Sequence, residues 1–283
     1  MNRILNREKM KMEKTAWKQK NSASFLTLVF MGLFANPGFA EEGFAPLFDG
    51  ETLNGWGTTR ATDAFSVNKE EKAIHAYAGK KNGSEQVPGC LVTKKQYSRY
   101  ILRLEYKWLE NRFSPRTDWD RDAGVLFHVH GSLKKLWPNS IEMQVGETPG
   151  TITGKSKEHW KGRKPHRFHT GDLILIQNNQ VQAQYRRKKS GWDPNGEIYT
   201  GGKGVFTQFG IEKPKGQWNE IEIRVLGDKK ATFMLNGKVV HEIMNIQKME
   251  EGKLVPLTKG HIGLQAEWAE LLYRNIRIKE LEK

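Results

Sequence analysis

Beyond residue 40, apolar positions recur at every second residue, in short runs broken by Gly, Asn, Asp and Pro. That period is the signature of strands with one buried face. Ile101 to Trp108 alternates in this way, as do Ile221-Glu222-Ile223-Arg224-Val225 and Thr232-Phe233-Met234-Leu235. Asn236-Gly237, set just before Val239-Val240, predicts a two-residue hairpin because both positions tolerate positive φ. Leu226-Gly227-Asp228-Lys229 predicts another tight turn, and His261 to Leu281 reads as two more strands. Helical periodicity is scarce, and no internal repeat, coiled coil or low-complexity tract is present. The pattern predicts an all-β, two-sheet sandwich.

Within that frame the stretch from Asp120 to Gln144 is unusual, because both of its predicted strands carry polar side chains on one face. Alternation puts Val125, Phe127 and Val129 on one side of the first strand and Leu126, His128 and His130 on the other. In the second, Ile141 and Met143 oppose Glu142 and Gln144. With the apolar sides on the core, two imidazoles, a carboxylate and an amide converge on the opposite face. Such a set can transfer protons, grip a polyol or, as His128, His130 and Glu142, ligate a divalent metal. Gln265 and Glu267 alternate with Leu264 and Ala266 and are candidates to join it. Asp122 lies at the mouth of the histidine strand, with Asp120 and Arg121 read as loop charges. Trp137 and Trp268 are candidate platforms for a sugar ring, whereas Trp56 and Trp218 read as core.

The first forty residues change the cellular picture. Lys11, Lys14, Lys18 and Lys20 precede an eleven-residue apolar run, Phe25 to Ala35, and Gly38-Phe39-Ala40 offers a cleavage site before Glu41. This is the pattern of a secretory signal peptide, residues 1–40. The run falls short of the ~20 apolar residues a membrane span requires. A periplasmic or secreted chain of residues 41–283 is therefore expected, as one β-sandwich domain. The leader holds seven Lys/Arg against two Asp/Glu, so its removal lowers the formal net charge from +14 to +9. A basic balance suits acidic polymers or an anionic envelope, and export makes nucleic acid an unexpected partner. Cys90 is the only cysteine, so no internal disulfide can form.

Catalytic motifs of other classes are missing. Gly150 to Ser156 imitates a phosphate-binding loop, but only three residues separate its glycines, where the motif needs four. No Gly-x-Ser-x-Gly occurs. In Glu142-Met143-Gln144 an amide stands where a second carboxylate would support direct two-carboxylate glycoside hydrolysis.

Several segments, in order, resemble one family: FAPLFDGETLNGW at 44–56, CLVTKKQYSRYILRLEYKW at 90–108, AGVLFHVHG and WPNSIEMQ, GQWNEIEIRVLGDKKATFMLNGKVV at 216–240 and GHIGLQAEWAELLYRNIRIKEL at 260–281. Together they resemble the 3-keto-disaccharide hydrolase family. The resemblance implies a jelly roll of the concanavalin A-like lectin and glucanase type, and a substrate that is a disaccharide or glycoside already oxidised to a ketone at C3 by a separate sugar 3-dehydrogenase. It implies C2-proton abstraction, elimination and hydration, with His128 or Glu142 as base and Gln144 and His130 polarising or orienting the sugar. A non-catalytic carbohydrate-binding module using the same face is the alternative. An envelope interaction protein using the basic 155–190 region is a third reading. The chain departs from the family pattern between Gly146 and Thr170, where six Lys/Arg stand against two Glu in an inserted loop. A second basic cluster follows at Arg186-Arg187-Lys188-Lys189. Long loops of this kind are often functional.

Overall fold

The computed structural model describes residues 42–60, 63–147, 169–176, 179–186, 189–201 and 211–282. The leader read in residues 1–40 and nearly all of the basic insertion lie outside the described residues.

Among the described residues eighteen strands, numbered in chain order, form two antiparallel sheets. The larger runs β11 (Lys189–Trp192), β10 (Asn179–Arg186), β15 (Lys238–Glu250), β14 (Lys230–Leu235), β13 (Asn219–Leu226), β6 (Arg99–Arg112), β18 (Ala269–Glu280), β4 (Ala73–Ala76) and β3 (Phe65–Asn68). To it are added β1 (Ala45–Pro46) on β18, β12 (Glu197–Gly201) on β10 and β16 (Lys253–Pro256) on β15. The smaller sheet runs β2 (Trp56–Thr58), β5 (Gly89–Thr93), β17 (His261–Ala266), β7 (Asp122–His130), β8 (Asn139–Gly146) and β9 (Leu173–Ile176). The fold is an all-β sandwich of two antiparallel sheets, as the alternation of the sequence predicts.

Alternation explains which faces meet. From β6, Tyr100, Leu102, Leu104, Tyr106 and Trp108 point inward, joined by Ile221, Ile223 and Val225 of β13 and Phe233 of β14. Opposite them the smaller sheet contributes Val125 and Phe127 of β7, Ile141 and Met143 of β8, and Leu264 and Ala266 of β17. Each large side chain so removed from water stabilises the fold by roughly 1.5–3 kcal/mol. The hairpin expected at Asn236-Gly237 joins β14 to β15, with φ of +49° and +76°. The other face of the larger sheet is a ladder of ion pairs, among them Lys107 with Glu71 and Arg274 with Glu105. Trp218 departs from its expected core place. It sits on this ladder, half-buried, with Arg274 Cζ 3.8 Å and Lys107 Nζ 4.6 Å from its ring centroid.

The chain leaves β8 and returns to β9 at one clasp. Thr170 Oγ1 accepts from Gly146 N and donates to Gly146 O, both at 3.0 Å, while Gly171 N donates to Gln144 O and Gln144 N to Asp172 O. Because the two ends are already hydrogen-bonded to each other, the length of chain between them is weakly coupled to the sandwich; doubling a loop costs only about 0.6 kcal/mol. Deleting residues 150–168 with a short Gly/Ser bridge is therefore expected to preserve one cooperative unfolding transition and shift its midpoint little. A broad or multiphasic urea transition would show that the insertion belongs to the core.

Candidate active site

The outer face of the smaller sheet carries the polar side chains. Across β5, β17, β7 and β8 the register aligns Cys90, Gln265, Gly124 and Gln144 in one row. The next row is Val92, Gly263, Leu126 and Glu142, and a bridge pairs Asp122 with Glu267 on the other side. From β8, the Glu142 side chain reaches over Gly124, where Gln265 Nε2 donates to its Oε2 at 3.4 Å. Gln144 Nε2 donates to Asp122 Oδ1, and to Ala123 O at 2.7 Å. Arg116, from the connection between β6 and β7, closes the group. Its Nη1 lies 3.0 Å from Asp122 Oδ2 and 2.6 Å from Glu267 Oε1. The guanidinium stands 5.1 Å from the Trp119 ring and 4.7 Å from the Trp268 ring, an arrangement that holds a cation over two aromatic faces. Trp268 is itself fixed by a hydrogen bond from its Nε1 to Gln86 O, 2.9 Å.

Glu142 is only 4% exposed. Burial pushes its carboxyl well above the ordinary carboxylate range, and the negative charges of Glu267 and Asp122 push it further; the hydrogen bond from Gln265 opposes them. The group is thereby held toward its neutral, proton-carrying form. Asp122 and Glu267 share the cation of Arg116, and among the described residues Glu142 has none bonded to it. Two environments on one face thus separate a carboxyl that can give a proton from a pair of carboxyls compensated by a guanidinium.

Of the residues the sequence singles out, Glu142, Gln144, Asp122, Gln265 and Glu267 come together, and Trp268 borders them through Arg116. Trp137 shares the face but lies toward its other end. With Leu133 it covers Cys90, Val92, Leu126 and Val129, an apolar patch also touched by Ile176. The loop that carries it brings Leu136 O to 3.7 Å from Cys90 Sγ.

The two histidines do not join. A bulge in β7, between Phe127 and His130, sets two residues opposite one on β8 and interrupts the alternation. His128 takes up the extra residue with φ +50° and is fully buried between the sheets. Its Nε2 donates to Gly227 O at 2.9 Å, and its Nδ1 is buried without a hydrogen-bond partner. Burial pulls its pKa down from 6.5 to about 4. After the bulge Val129, not His128, lies on the outer apolar patch. His130 bonds through Nδ1 to His128 O at 2.9 Å and has Lys248 and Glu250 of β15 and Lys135 as its charged neighbours. The expected catalytic pairing of His128 with Glu142 is therefore corrected, as is the placing of His130 beside Gln144. The metal set His128, His130 and Glu142 fails for the same reason. Among the described residues no group of three or more His, Cys, Asp and Glu is placed to hold a metal.

Arg121 is also corrected from a loop charge to a buried one: its Nη1 bonds Glu147 Oε1 and its Nη2 Glu110 O, each at 2.8 Å. Sequence reasoning missed Arg116, Trp119 and Gly124. The first two lie in an aperiodic connection, RFSPRTDWDRD, where no pattern tells which side chain turns inward. Gly124 could have been noticed as a glycine interrupting an otherwise apolar strand.

A family model described as "3-keto-alpha-glucoside-1,2-lyase-like domain" matches residues 43–279. A Parabacteroides distasonis protein of known structure, named "putative glycosyl hydrolase", superposes with a TM-score of 0.51 at 18% identity, over 85% of this chain and 95% of that one. A second P. distasonis structure of the same description gives 0.49 at 20% identity, over 84% and 99%. A Bacillus licheniformis β-glucanase gives 0.43 at 9% identity, over 84% and 97%. No curated protein matches the chain. At such identities the first of these structures speaks to fold, and the family match, which spans most of the sequence, speaks to kinship. The chain belongs to the 3-keto-α-glucoside-1,2-lyase-like domain family.

Proposed function

We propose that this protein is a carbohydrate-active enzyme that breaks the glycosidic bond of a 3-keto-glycoside by elimination followed by hydration. The ketone at C3 acidifies the C2 proton. A base removes that proton, the electron pair forms C1=C2, and the C1–oxygen bond breaks as the leaving oxygen takes a proton from an acid. Water then adds across C1=C2, restoring a 3-keto sugar, so that the net change is hydrolysis. Such a reaction needs a proton acceptor, a proton donor and a positive group near the developing oxyanion, and no second carboxylate acting as nucleophile.

The observation that carries this reading is the buried Glu142 carboxyl, held toward its protonated form beside two carboxylates bridged by Arg116. Glu142 has the proton a leaving oxygen requires. Asp122 and Glu267 are the carboxylates of the face that could receive one from C2. Gln144 and Gln265 supply amides for sugar hydroxyls, and Trp119 and Trp268 supply ring faces. The leader read in residues 1–40 supports placing the reaction outside the cytoplasm, with a separate sugar 3-dehydrogenase supplying the ketone.

The test is to incubate the purified protein with a 3-keto disaccharide and with its unoxidised parent, each with and without chelator. Release of free sugar from the oxidised substrate alone is expected. Binding of both sugars without cleavage of either would instead make the face a lectin-like site, and equal cleavage of both would remove the elimination chemistry.

A further inference from the structure

Gly124 stands in the middle of β7, a strand paired on both sides, where glycine is a poor choice. It forfeits side-chain packing and costs more backbone entropy than alanine on folding, roughly 0.5–1 kcal/mol. Its backbone does not call for glycine, because its φ is outside the left-handed region. No turn or bulge falls on it, since the register of β7 with β8 is regular from Asp122 through Phe127. The reason lies above the strand. A Cβ built at Gly124 would fall 2.2 Å from Glu142 Oε1, 2.6 Å from Glu142 Cδ and 2.7 Å from Gln265 Oε1. All three atoms belong to side chains from the two flanking strands, which lean toward each other across the glycine.

We propose that Gly124 is a positioning residue, whose missing side chain is the space in which the Glu142 carboxyl meets the Gln265 amide above β7. With any other residue there, the carboxyl cannot lie across the strand and has to swing away from Gln265. The inference deepens the reading of Glu142 given above and rests on it for its catalytic meaning, though not for its geometry. Charged and titratable groups facing the carboxyl are Glu267 of the turn after β17, Asp122 of β7, Arg116 bonded to both of these, the Cys90 thiol of β5 and the Tyr273 hydroxyl of β18.

The first variant is Gly124→Ala. The atoms it meets are far ends of flexible side chains, so the chain should fold and Glu142 should move. Infrared difference spectra of the whole protein, against Glu142→Gln to identify the band, report the protonated Glu142 carboxyl without any substrate. In Gly124→Ala this band is expected to shift and, with the Gln265 hydrogen bond lost, to titrate at higher pH. With a 3-keto-glycoside, kcat should fall about 10²-fold with KM little changed, the scale of a misplacement near 1 Å. A conserved band and titration would overturn the proposal, whatever the activity shows. Absence of turnover in the wild type would sink the functional reading and leave the spectroscopic result to decide the positioning one. Should Gly124→Ala prove too unstable to study, the comparison is made in a Glu142→Ala background. There the added methyl should cost much less stability, and an equal cost in both backgrounds would overturn the proposal.

Discussion

Glu142→Gln is expected to lower turnover of a 3-keto-glycoside by about 10²–10⁴-fold, the range for loss of a positioned proton-transfer group. The substitution preserves shape and hydrogen-bonding capacity at a site with 4% exposure and removes only the transferable proton. It is not expected to weaken the fold. Because burial and the neighbouring carboxylates raise the folded-state pKa of Glu142 above 4.5, the native protein binds this proton more tightly than the unfolded chain. That contribution is fully present below the unfolded value and is lost as pH rises through the folded one. Glutamine has nothing to lose there, so the variant should match the wild type in acid and unfold at higher temperature than it in mildly alkaline buffer. Near-normal turnover in Glu142→Gln would place the chemistry elsewhere on the sandwich.

The second large effect concerns His128 and has the opposite sign. Its pKa is depressed from 6.5 to about 4 by burial, and protonation at Nδ1 would create a buried donor with no acceptor, since Nε2–H is already committed to Gly227 O. The other groups facing it are His130 and Asp228. Here the unfolded chain takes up the proton first, so stability is complete above about pH 6.5 and is lost as pH falls toward 4. At 1.36 kcal/mol per unit, the loss approaches about 3 kcal/mol. His128→Gln retains an amide donor for Gly227 O and cannot titrate. Its stability at neutral pH should be somewhat lower, because a long side chain at φ +50° is strained, but its decline in acid should be shallower by that amount. Urea midpoints measured from pH 7 to pH 4 decide the matter: parallel declines in the two proteins would mean that His128 is not the acid-sensitive group.

The strands of this fold were legible because alternation is a local property. Each of Ile221, Ile223 and Val225 announces its face through its neighbours, and Asn236-Gly237 announces its turn through backbone sterics. Five of the polar site residues were legible on the same ground, since Glu142, Gln144, Gln265, Glu267 and Asp122 lie where regular pleating puts them. His128 and His130 were misread because a bulge leaves no mark on a hydrophobic pattern. The extra residue is accommodated by Gly260 on β17's approach, where a Cβ would fall 2.4 Å from the His128 carbonyl carbon, a contact between segments more than a hundred residues apart in sequence. Arg116 was invisible for a related reason. Its role is set by one acid on β7, another in the turn after β17, and two indoles in different loops, none of which constrains its neighbours in the chain.

The bulge in β7 also says something about how this site could be altered. Point substitutions leave the face assignment of a strand intact, whereas a change of length reassigns every residue beyond it. Removing Val129 would return the end of the strand to regular pleating and carry the His128 imidazole onto the outer face beside Leu126 and Glu142. The sandwich thus keeps one nitrogen ligand, that of His128, in reserve behind its acidic face, one reading-frame-preserving codon deletion away from it. Variation by insertion and deletion, rather than by exchange of residues, is the route by which a chain of this architecture could gain a metal-binding cleft.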